Sequence, residues 1–369
     1  MRIGIDARLY SQTGVGRYIR NLLRELAIIN KRDEFYIYLN NPEYGDFREP
    51  SSKWHKVLLN LKWHSIQEQI FIPIRFMQDK LDVAHFPYFN VPIFYPGKYL
   101  LTIHDLIVDH FDTGRASTLP LVLYKLKRLA YRIITKIGAR RASYITVISQ
   151  TTQREVMDHY GKNTSMLLTY DALDTHFTGL VKTHRPKKYY DSDYILYVGN
   201  AYPHKNLERL VEAFALLKKE KKIKLILAGN DEFFFLRLKK YVFRKGLQDD
   251  IIFFGNADDE QLINLYYFAK CLVFPSLMEG FGLPNFEAVS CGCIPVVSGI
   301  PVFQEIWADI LPMFDPSDIT EMKRIIVKTI NMNSKEKIMT LEKAKKIISK
   351  YTWRKTAQIT SDLYQRIVQ

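Results

Sequence analysis

Two carboxylates, Glu279 and Glu287, are separated by seven intervening residues in the segment from Pro275 to Val297. Glu279 falls in a glycine-bearing loop after an apolar run, and Glu287 falls inside a helix predicted to start near Pro284. Carboxylates at opposite ends of such a turn can each bind hydroxyl groups of an extended polar ligand. The backbone N–H groups of Phe281 to Leu283 would add donors at the same helix N-terminus. The spacing therefore predicts a binding site for a polar ligand rather than a pair of helix caps.

A cationic turn opens the second half of the chain. The string VGNAYPHKN covers residues 198–206 and places Lys205 before a predicted helix, with His204 beside it. A positive charge at a helix start is unfavourable to the helix dipole, so Lys205 indicates that an anion binds there. A solvated surface lysine is the alternative interpretation.

The first predicted strand ends at Asp6 and leads into TGVGRY, residues 13–18. Gly14 and Gly16 would let the backbone approach a phosphate at the start of the next helix. The string matches the dinucleotide-binding fingerprint only in part, because the third glycine is missing. A turn without a ligand stays an equal alternative.

Two further strand ends carry polar and aromatic side chains. TIHD ends in His104 and Asp105, and an imidazole beyond a parallel strand can reach a ligand at the edge of the sheet. HFPYF includes His85 and Tyr88 and could line an acceptor pocket. A structural histidine and an aromatic core cluster are the competing interpretations.

Short apolar runs alternate with amphipathic stretches along most of the chain, which is typical of βα units on a parallel sheet. The pattern predicts an α/β protein of two Rossmann-like doubly wound domains that face each other across a cleft. The predicted domains are residues 1–182 and 194–350, joined by a charged linker at 183–193. Residues 351–369 form a last helix that Thr352 can cap, with an apolar face beginning at Trp353.

The composition is that of an ordinary globular chain of 369 residues, with 47% hydrophobic and 25% charged residues and a formal charge of +14. Such a charge favours anionic partners. The three cysteines give neither a disulfide framework nor a four-ligand zinc site, and small buried thiols are expected. Because no stretch has signal-peptide or membrane-span character, a cytoplasmic location is expected.

The string EGFGLPNFEAVSCG resembles the signature of family 4 retaining glycosyltransferases, which have the GT-B architecture. RIGIDARLYSQTGVGRY, HFPYF, TIHDL and YVGNAYPHKNL resemble a mannosyltransferase-like branch of that family. The resemblance covers nearly the whole chain. It implies transfer of a hexose, mannose from GDP-mannose first, to a glycan or lipid-linked glycan with retention of the anomeric configuration. UDP- or dTDP-linked hexoses or deoxyhexoses are the alternative donors.

The resemblance also implies roles for single residues. Glu287 would bind the donor ribose, and Lys205 would bind the diphosphate. The donor sugar would be bound by Glu279 and by the backbone of Gly280, Phe281, Gly282 and Leu283. The remaining implied donor contacts are Gly14, Gly16, Asn200, His204 and His104, of which His104 would touch the transferred sugar. His85, Tyr88 and Asp105 are the candidate acceptor contacts. Glu279, Lys205 and His104 are the candidate catalytic residues, with no protein nucleophile and no obligatory metal ion or other cofactor.

The chain departs from the family pattern at three places. Asn200 and His204 stand where many members have an arginine, so protonated His204 could contribute to phosphate affinity. Tyr170-Asp171-Ala172 replaces a Pro-Asn-Gly loop. The one Asp-x-Asp string, Asp191 to Asp193, lies in the predicted linker and is expected to be solvated rather than metal-binding.

Residues 115–141 carry many basic and no acidic side chains, interleaved with leucine and isoleucine. This pattern suits an anionic membrane surface and a peripheral location on the inner face of the plasma membrane. A packed helix with a charged outer face is an equal alternative, and Asp231 to Gly246 is a second, weaker candidate. An NAD-dependent oxidoreductase and a non-catalytic basic protein are the rival functions. No nucleic-acid module is recognisable, so nucleic acid is not an expected partner.

Overall fold

A computed structural model describes residues 1–12, 14–111, 121–161, 165–229 and 233–369. Its contacts divide the chain into two compact units. The first unit contains residues 1–106, the described part of 119–171, and 352–369. The second contains residues 172–351 together with the short segment that starts at Ile107. Residues 184–193 form no helix or strand, and the chain enters the second unit at Ala172, before the predicted domain limit.

In the described residues, the first unit is built on a parallel sheet of seven strands in the order β3-β2-β1-β4-β5-β6-β7. The strands are β1 (Arg2–Asp6), β2 (Glu34–Leu39), β3 (Trp54–Leu58), β4 (Val83–Phe86), β5 (Tyr99–Ile103), β6 (Tyr144–Val147) and β7 (Met166–Leu168). Its helices are α1 (Gly14–Ile29), α2 (Glu43–Asp46), α3 (Ile66–Gln78), α5 (Leu121–Arg141), α6 (Gln150–Tyr160) and the terminal helix α15 (Trp353–Val368). A short helix, α4 (Ile107–His110), belongs to the second unit.

The second unit has a parallel sheet of six strands in the order β10-β9-β8-β11-β12-β13. The strands are β8 (Tyr194–Val198), β9 (Lys224–Ala228), β10 (Ile251–Gly255), β11 (Leu272–Phe274), β12 (Pro295–Ser298) and β13 (Met313–Phe314). The helices are α7 (Thr175–Thr183), α8 (Leu207–Lys218), α9 (Phe234–Arg244), α10 (Asp259–Phe268), α11 (Leu283–Ser290), α12 (Pro301–Trp307), α13 (Ile319–Ile330) and α14 (Ser334–Ile348). These counts refer to the part of the chain that the structure describes.

Both sheets have the doubly wound order, in which the chain moves outward from β1 or β8 and then returns to the other side. The central strands β5 and β8 are buried along their whole length because helices cover both faces of a parallel sheet. In each sheet the first and fourth strands of the unit are neighbours, and this pair is the topological switch point. Ligands of open α/β sheets bind beyond the carboxyl ends of such strands.

The α/β prediction of two Rossmann-like units is confirmed by the two parallel sheets. The sequence prediction lacked β7 and β13, whose lengths of three and two residues give no periodic signal. The cap at Thr352 is confirmed, since its side chain accepts a hydrogen bond from the Lys355 N–H. The apolar face of α15 is buried against α1, β4 and β5. All three cysteines are free and buried.

Candidate functional site

The loops after β8 and β11 lie side by side, because these two strands pair in the sheet. After β8 the chain makes a single 3-10 turn, Pro203–Lys205, before α8 begins. Asn206 ends this turn in the left-handed region with φ 61°. Its side-chain amide donates to the carbonyl oxygens of Pro275 (3.1 Å) and Pro316 (2.9 Å), which ties the loop after β8 to the loop after β11.

This arrangement brings Lys205 and Glu279 into contact. The Lys205 Nζ lies 2.6 Å from Glu279 Oε1, and the two side chains are 12% and 8% exposed. The Ser276 hydroxyl donates to the same Oε1 at 2.6 Å. Within the described residues Oε2 accepts no hydrogen bond, so half of the carboxylate is available to a ligand hydroxyl. A cation and a carboxylate thus lie together at the switch point of the second unit.

The turn between Glu279 and α11 depends on a glycine. Gly282 has φ +90°, and a Cβ there would lie 2.6 Å from the ring of Phe303. Only glycine adopts this conformation without strain, and it allows α11 to begin directly at Leu283. The N-terminus of α11 follows the Glu279 loop, and a helix N-terminus favours an anionic or polar ligand.

Glu287 lies inside α11 and is 4% exposed. The Tyr266 hydroxyl donates to its Oε2 at 2.9 Å, and this contact with α10 orients the carboxylate. Asn285, two residues earlier, is fully buried, and neither polar atom of its side chain has a hydrogen-bond partner in the described structure. Neither Ser276 nor Tyr266 was a candidate from the sequence. The signal for Ser276 was its position at a strand end three residues before Glu279.

His204 is 4% exposed, and burial followed by the charge of Lys205 lowers its pKa to about 3. The ring is therefore neutral near pH 7 in this conformation, and the contribution of protonated His204 to phosphate affinity remains a prediction. Asn200 lies half-buried after β8, and its carbonyl oxygen accepts a hydrogen bond of 2.6 Å from the Tyr197 hydroxyl. Among the candidate phosphate ligands of this loop, Lys205 carries the positive charge.

The switch point of the first unit holds a different charged cluster. Arg8 donates to both carboxylate oxygens of Asp6, at 2.8 and 2.7 Å, and to Glu68 at 3.0 Å. Asn90 donates to the other oxygen of Glu68 at 2.6 Å, and the Trp63 ring lies over the Arg8 guanidinium. All three charged side chains are at most 2% exposed. We call this set, Asp6, Arg8, Glu68 and Asn90, the buried ionic cluster; the sequence analysis did not find it.

The predicted glycines of the first unit differ in what the structure requires of them. Gly16 needs to lack a side chain, because a Cβ would lie 2.5 Å from the Tyr10 carbonyl oxygen. Gly14 begins α1, and nothing lies within 4 Å of where its Cβ would be. Thr13 of the same motif lies outside the described residues. The phosphate contacts predicted for Gly14 and Gly16 remain predictions.

The candidate residues after β4 and β5 differ in how deeply they are buried. His104 is 6% exposed, its Nε2 lies 2.9 Å from the Pro87 carbonyl oxygen, and burial lowers its pKa to about 4. Tyr88 and Asp105 are half-buried.

His85 is a correction, because it is fully buried and both ring nitrogens are occupied. Nδ1 lies 2.7 Å from the Tyr364 hydroxyl and Nε2 lies 2.8 Å from the Thr102 hydroxyl. Burial lowers its pKa to about 3. His85 connects β4 to α15 and β5 and cannot contact an acceptor in this structure.

Within the described residues no three His, Cys, Asp or Glu side chains form a group that could hold a metal ion. Asp191 and Asp193 are exposed, as expected, with Lys188 near Asp191 and Lys270 paired to Asp193 at 3.0 Å. No described helix combines the length and apolar character needed to cross a bilayer.

The two doubly wound α/β units define a fold class, the GT-B fold. Residues 182–347 match the family model described as glycosyl transferases group 1. These residues make up nearly all of the second unit and include Lys205, Glu279 and Glu287.

Among curated relatives, the chain is 30% identical over 244 residues to the serotype-specific mannosyltransferase WbdA of Escherichia coli. That match covers 62% of this chain but 29% of the relative, so the chain spans less than a third of the first relatives it matches. It is 24% identical to the O-antigen chain mannosyltransferase B of Escherichia coli, over 96% of this chain and 97% of the relative. A third relative is the GDP-mannose:cellobiosyl-diphosphopolyprenol alpha-mannosyltransferase of Xanthomonas oryzae, 37% identical over 111 residues, 30% of this chain and 29% of that protein.

Solved structures share the fold over the full length. The sucrose-phosphate synthase of Thermosynechococcus elongatus superposes with a TM-score of 0.78 at 18% identity, covering 99% of this chain and 98% of the other. Anabaena HepE in complex with UDP-glucose gives a TM-score of 0.75 at 15% identity, covering 99% and 100%. At these identities the similarity establishes the fold.

Proposed function

We propose that the chain is a retaining glycosyltransferase that moves a hexose from a nucleotide sugar to a glycan acceptor. The contact between Lys205 and Glu279 carries this proposal, because it places a cation and a hydroxyl-binding carboxylate together at a sheet switch point. A diphosphate needs the cation and a sugar needs the carboxylate. A nucleotide sugar contains both groups in one molecule.

The proposed chemistry follows from what the transition state must stabilise. Departure of the nucleoside diphosphate leaves an oxocarbenium-like sugar and places negative charge on the leaving phosphate. Lys205 and the N-terminal end of the α11 dipole would stabilise that charge. The acceptor attacks on the same face, and the leaving phosphate takes its proton, so the anomeric configuration is retained without a protein nucleophile.

The occupied Oε1 of Glu279 gives a reason for the order of binding. Without ligand, the Lys205 charge is neutralised by Glu279 at 2.6 Å. A diphosphate that approaches Lys205 competes with this carboxylate, and the released carboxylate gains freedom to accept hydroxyl groups of the sugar. Glu287 then binds the ribose, and Gly14, Gly16 and His104 are proposed ligand contacts in the first unit.

For the donor we propose GDP-mannose. The names of the relatives support mannose, since three of those described above are mannosyltransferases and one name includes GDP-mannose. UDP- and dTDP-linked sugars are the alternatives, and an NAD-dependent oxidoreductase is the more distant one. The proposed acceptor is a glycan or lipid-linked glycan. The proposed location of the reaction is the cytoplasmic side of the plasma membrane, and the proposed reaction needs no metal ion.

Calorimetric titration of the metal-free protein with GDP, UDP, dTDP and NAD tests the donor proposal. We expect one nucleoside diphosphate to bind, and Lys205→Met and Glu287→Gln each to weaken that binding at least about tenfold. Lys245→Met is the matched control, because Lys245 pairs with Glu212 at the surface, 47% exposed, and should leave binding unchanged. Binding of NAD with no nucleoside diphosphate bound would refute the proposal.

A transfer assay with GDP-mannose and a chemical analysis of the linkage then tests the reaction. We expect GDP release to depend on an added glycan or lipid-linked glycan acceptor and the product to carry an alpha linkage. A beta-linked product would contradict the retaining mechanism while leaving the donor site intact.

A further inference from the structure

Helix α3 buries two polar side chains beside apolar ones, and it also exposes large apolar side chains to solvent. Its inward face includes Glu68 and Gln69, which are 1% and 8% exposed. Its outward face carries large apolar side chains. They are Ile66 (82% exposed), Ile70 (48%), Phe71 (52%), Ile74 (42%) and Met77 (50%).

The inward polar residues of α3 are accounted for by their partners. Glu68 accepts hydrogen bonds from Arg8 and Asn90 in the buried ionic cluster, and the Gln69 Oε1 accepts one of 2.8 Å from the Ile93 N–H. These contacts fix the rotation of the helix about its own axis. The apolar residues are therefore held outward by the packing of the unit, and the helix cannot turn to bury them without breaking the cluster.

Helix α5 lies beside α3 on the same face of the sheet. α3 connects β3 to β4 and α5 connects β5 to β6, both crossing in the same direction, so right-handed crossovers place them on one face. The segment around Ile93 links them, since its N–H bonds Gln69 of α3 and its carbonyl oxygen accepts from Arg141 of α5. The ring of His64, just before α3, also lies near the ring of Tyr131 of α5, with 6.5 Å between the ring centroids.

The outward face of α5 is apolar and basic. Leu126, Leu129 and Ile133 are 57%, 55% and 48% exposed. Lys136 and Arg140 are exposed and follow at the helical spacing that puts them on the same side as Leu129 and Ile133. Phe94, on the connecting segment, is 67% exposed. We call the outward faces of α3 and α5, with Phe94, the α3–α5 surface.

The charges around this surface all favour an anionic partner. The sequence between Asp112 and Glu155 contains no acidic residue, and Lys62 and Lys80 are exposed near the two ends of α3. Of the acidic residues on or next to α3, Glu68 is enclosed in the buried ionic cluster and Asp79 is paired with Arg75 at 2.8 Å. An apolar surface bordered by lysine and arginine is the pattern of a segment that rests in the interface of a lipid bilayer.

We infer that the α3–α5 surface docks on an anionic lipid bilayer, with the apolar side chains of α3 inserted and the basic residues of α5 against lipid phosphates. A second copy of this chain fits the surface less well. A two-fold dimer would bring the basic α5 helices of two copies together, and each copy already carries a formal charge of +14. The inference extends the membrane candidate of residues 115–141 to α3 and is independent of the donor chemistry.

Flotation of the full chain with vesicles tests this inference. We expect binding to vesicles of phosphatidylglycerol and phosphatidylcholine, little binding to phosphatidylcholine alone, and weaker binding as salt is raised. Ile70→Ser combined with Ile74→Ser should lower the partition coefficient at least about tenfold, because each inserted side chain contributes apolar burial. Lys136→Glu combined with Arg140→Glu should lower it to a similar extent and reduce its salt dependence.

The matched control is Leu236→Ser combined with Phe243→Ser on α9, where the same kinds of side chain are 56% and 71% exposed in the second unit. This control should bind vesicles like the original chain. Unchanged binding of both α3–α5 variants, or loss of binding in the α9 control alone, would overturn the inference.

Sedimentation of the same variants separates a bilayer from a second copy. A dimer that Ile70→Ser and Ile74→Ser dissociate without changing vesicle binding would overturn the inference. Nucleoside diphosphate binding, measured by calorimetry without vesicles, should be the same in all these variants. A failed donor proposal would therefore leave the vesicle result standing, and the reverse also holds.

Discussion

The two units place charged clusters at equivalent points of equivalent sheets, yet the clusters differ in what remains available to a ligand. In the first unit, Arg8 uses its fork on Asp6 and Glu68, and the other oxygen of Glu68 accepts from Asn90. In the second unit, Lys205 and Ser276 both donate to one oxygen of Glu279. Among the described residues, both oxygens of Glu68 accept a hydrogen bond, whereas Oε2 of Glu279 accepts none.

This difference shows that charge at a switch point does not by itself indicate a ligand site. Arginine binds carboxylates through several donors in a fixed plane, which suits a permanent internal contact. Lysine makes a point contact that a ligand phosphate can replace. The side chains of the first cluster are at most 2% exposed, while those of Lys205 and Glu279 are 12% and 8% exposed. In a structural cluster the hydrogen-bond donors and acceptors are occupied by other protein groups. In a binding site some of them are left for a ligand.

The largest expected effect tests the ligand-site half of this comparison. Lys205→Met should lower kcat/KM for sugar transfer by about 10²- to 10³-fold, because the charge of the leaving diphosphate loses its cation. The free energy of unfolding should fall by less than about 3 kcal/mol, because this pair is more exposed than the buried ionic cluster. Transfer kinetics and urea unfolding of the same preparation check both statements. A variant that transfers sugar at the original rate would make this pair as structural as the cluster of the first unit.

The opposite outcome is expected at the buried ionic cluster. Arg8→Met leaves the carboxylates of Asp6 and Glu68 enclosed without their cation, which should lower the free energy of unfolding by about 3–5 kcal/mol. Urea unfolding measures the change. Lys224→Met is the matched control, because Lys224 pairs with Asp250 at the surface, 31% exposed, and should cost under about 1 kcal/mol. A similarly small loss in Arg8→Met would show that the cluster is not what holds α3 in its rotation.

The sequence could predict the candidate site of the second unit because that site is local in the fold. Lys205 and Glu279 each follow a strand that reads as an apolar run, and the doubly wound order makes those strands neighbours. The partners of His85 and Glu68 could not be predicted in the same way. His85 bonds Tyr364 and Glu68 bonds Arg8, contacts that span most of the chain or cross a whole sheet and leave no periodic signal. The same limit applied to β7 and β13, which are too short for periodicity.

Within the described part of the chain, Asp171 is a buried carboxylic acid that has no cationic partner such as the one Arg8 provides for Asp6. Its expected effect on the free energy of unfolding is smaller and depends on pH. Asp171 is fully enclosed in the first unit, its Oδ1 has no hydrogen-bond partner in the described structure, and burial raises its pKa to about 8. The native state thus binds a proton that the unfolded chain releases above about pH 4. Stability should therefore fall as pH rises from about 4 toward 8.

Asp171→Asn should remove this component and flatten the stability curve between pH 5 and 8 by about 1 kcal/mol or more. Urea unfolding at several pH values compares the two chains. Identical pH profiles for the original chain and Asp171→Asn would show that Asp171 is ionised in the fold.

The smallest expected effect is that of His204 on the affinity for the donor. Lys205 and His204 are the two candidate cations of the second-unit site, and they differ in their charge near neutral pH. Because the pKa of His204 is lowered to about 3, its ring is neutral across the range in which an ordinary histidine titrates. The affinity for GDP-mannose, whose diphosphate does not titrate near neutral pH, should therefore change less than about twofold between pH 5.5 and 8. His204→Asn should show the same flat profile in calorimetric titration. A tighter complex at pH 5.5 in the original chain, absent from His204→Asn, would mean that the bound diphosphate raises the pKa of His204 and recruits it as a second cation beside Lys205.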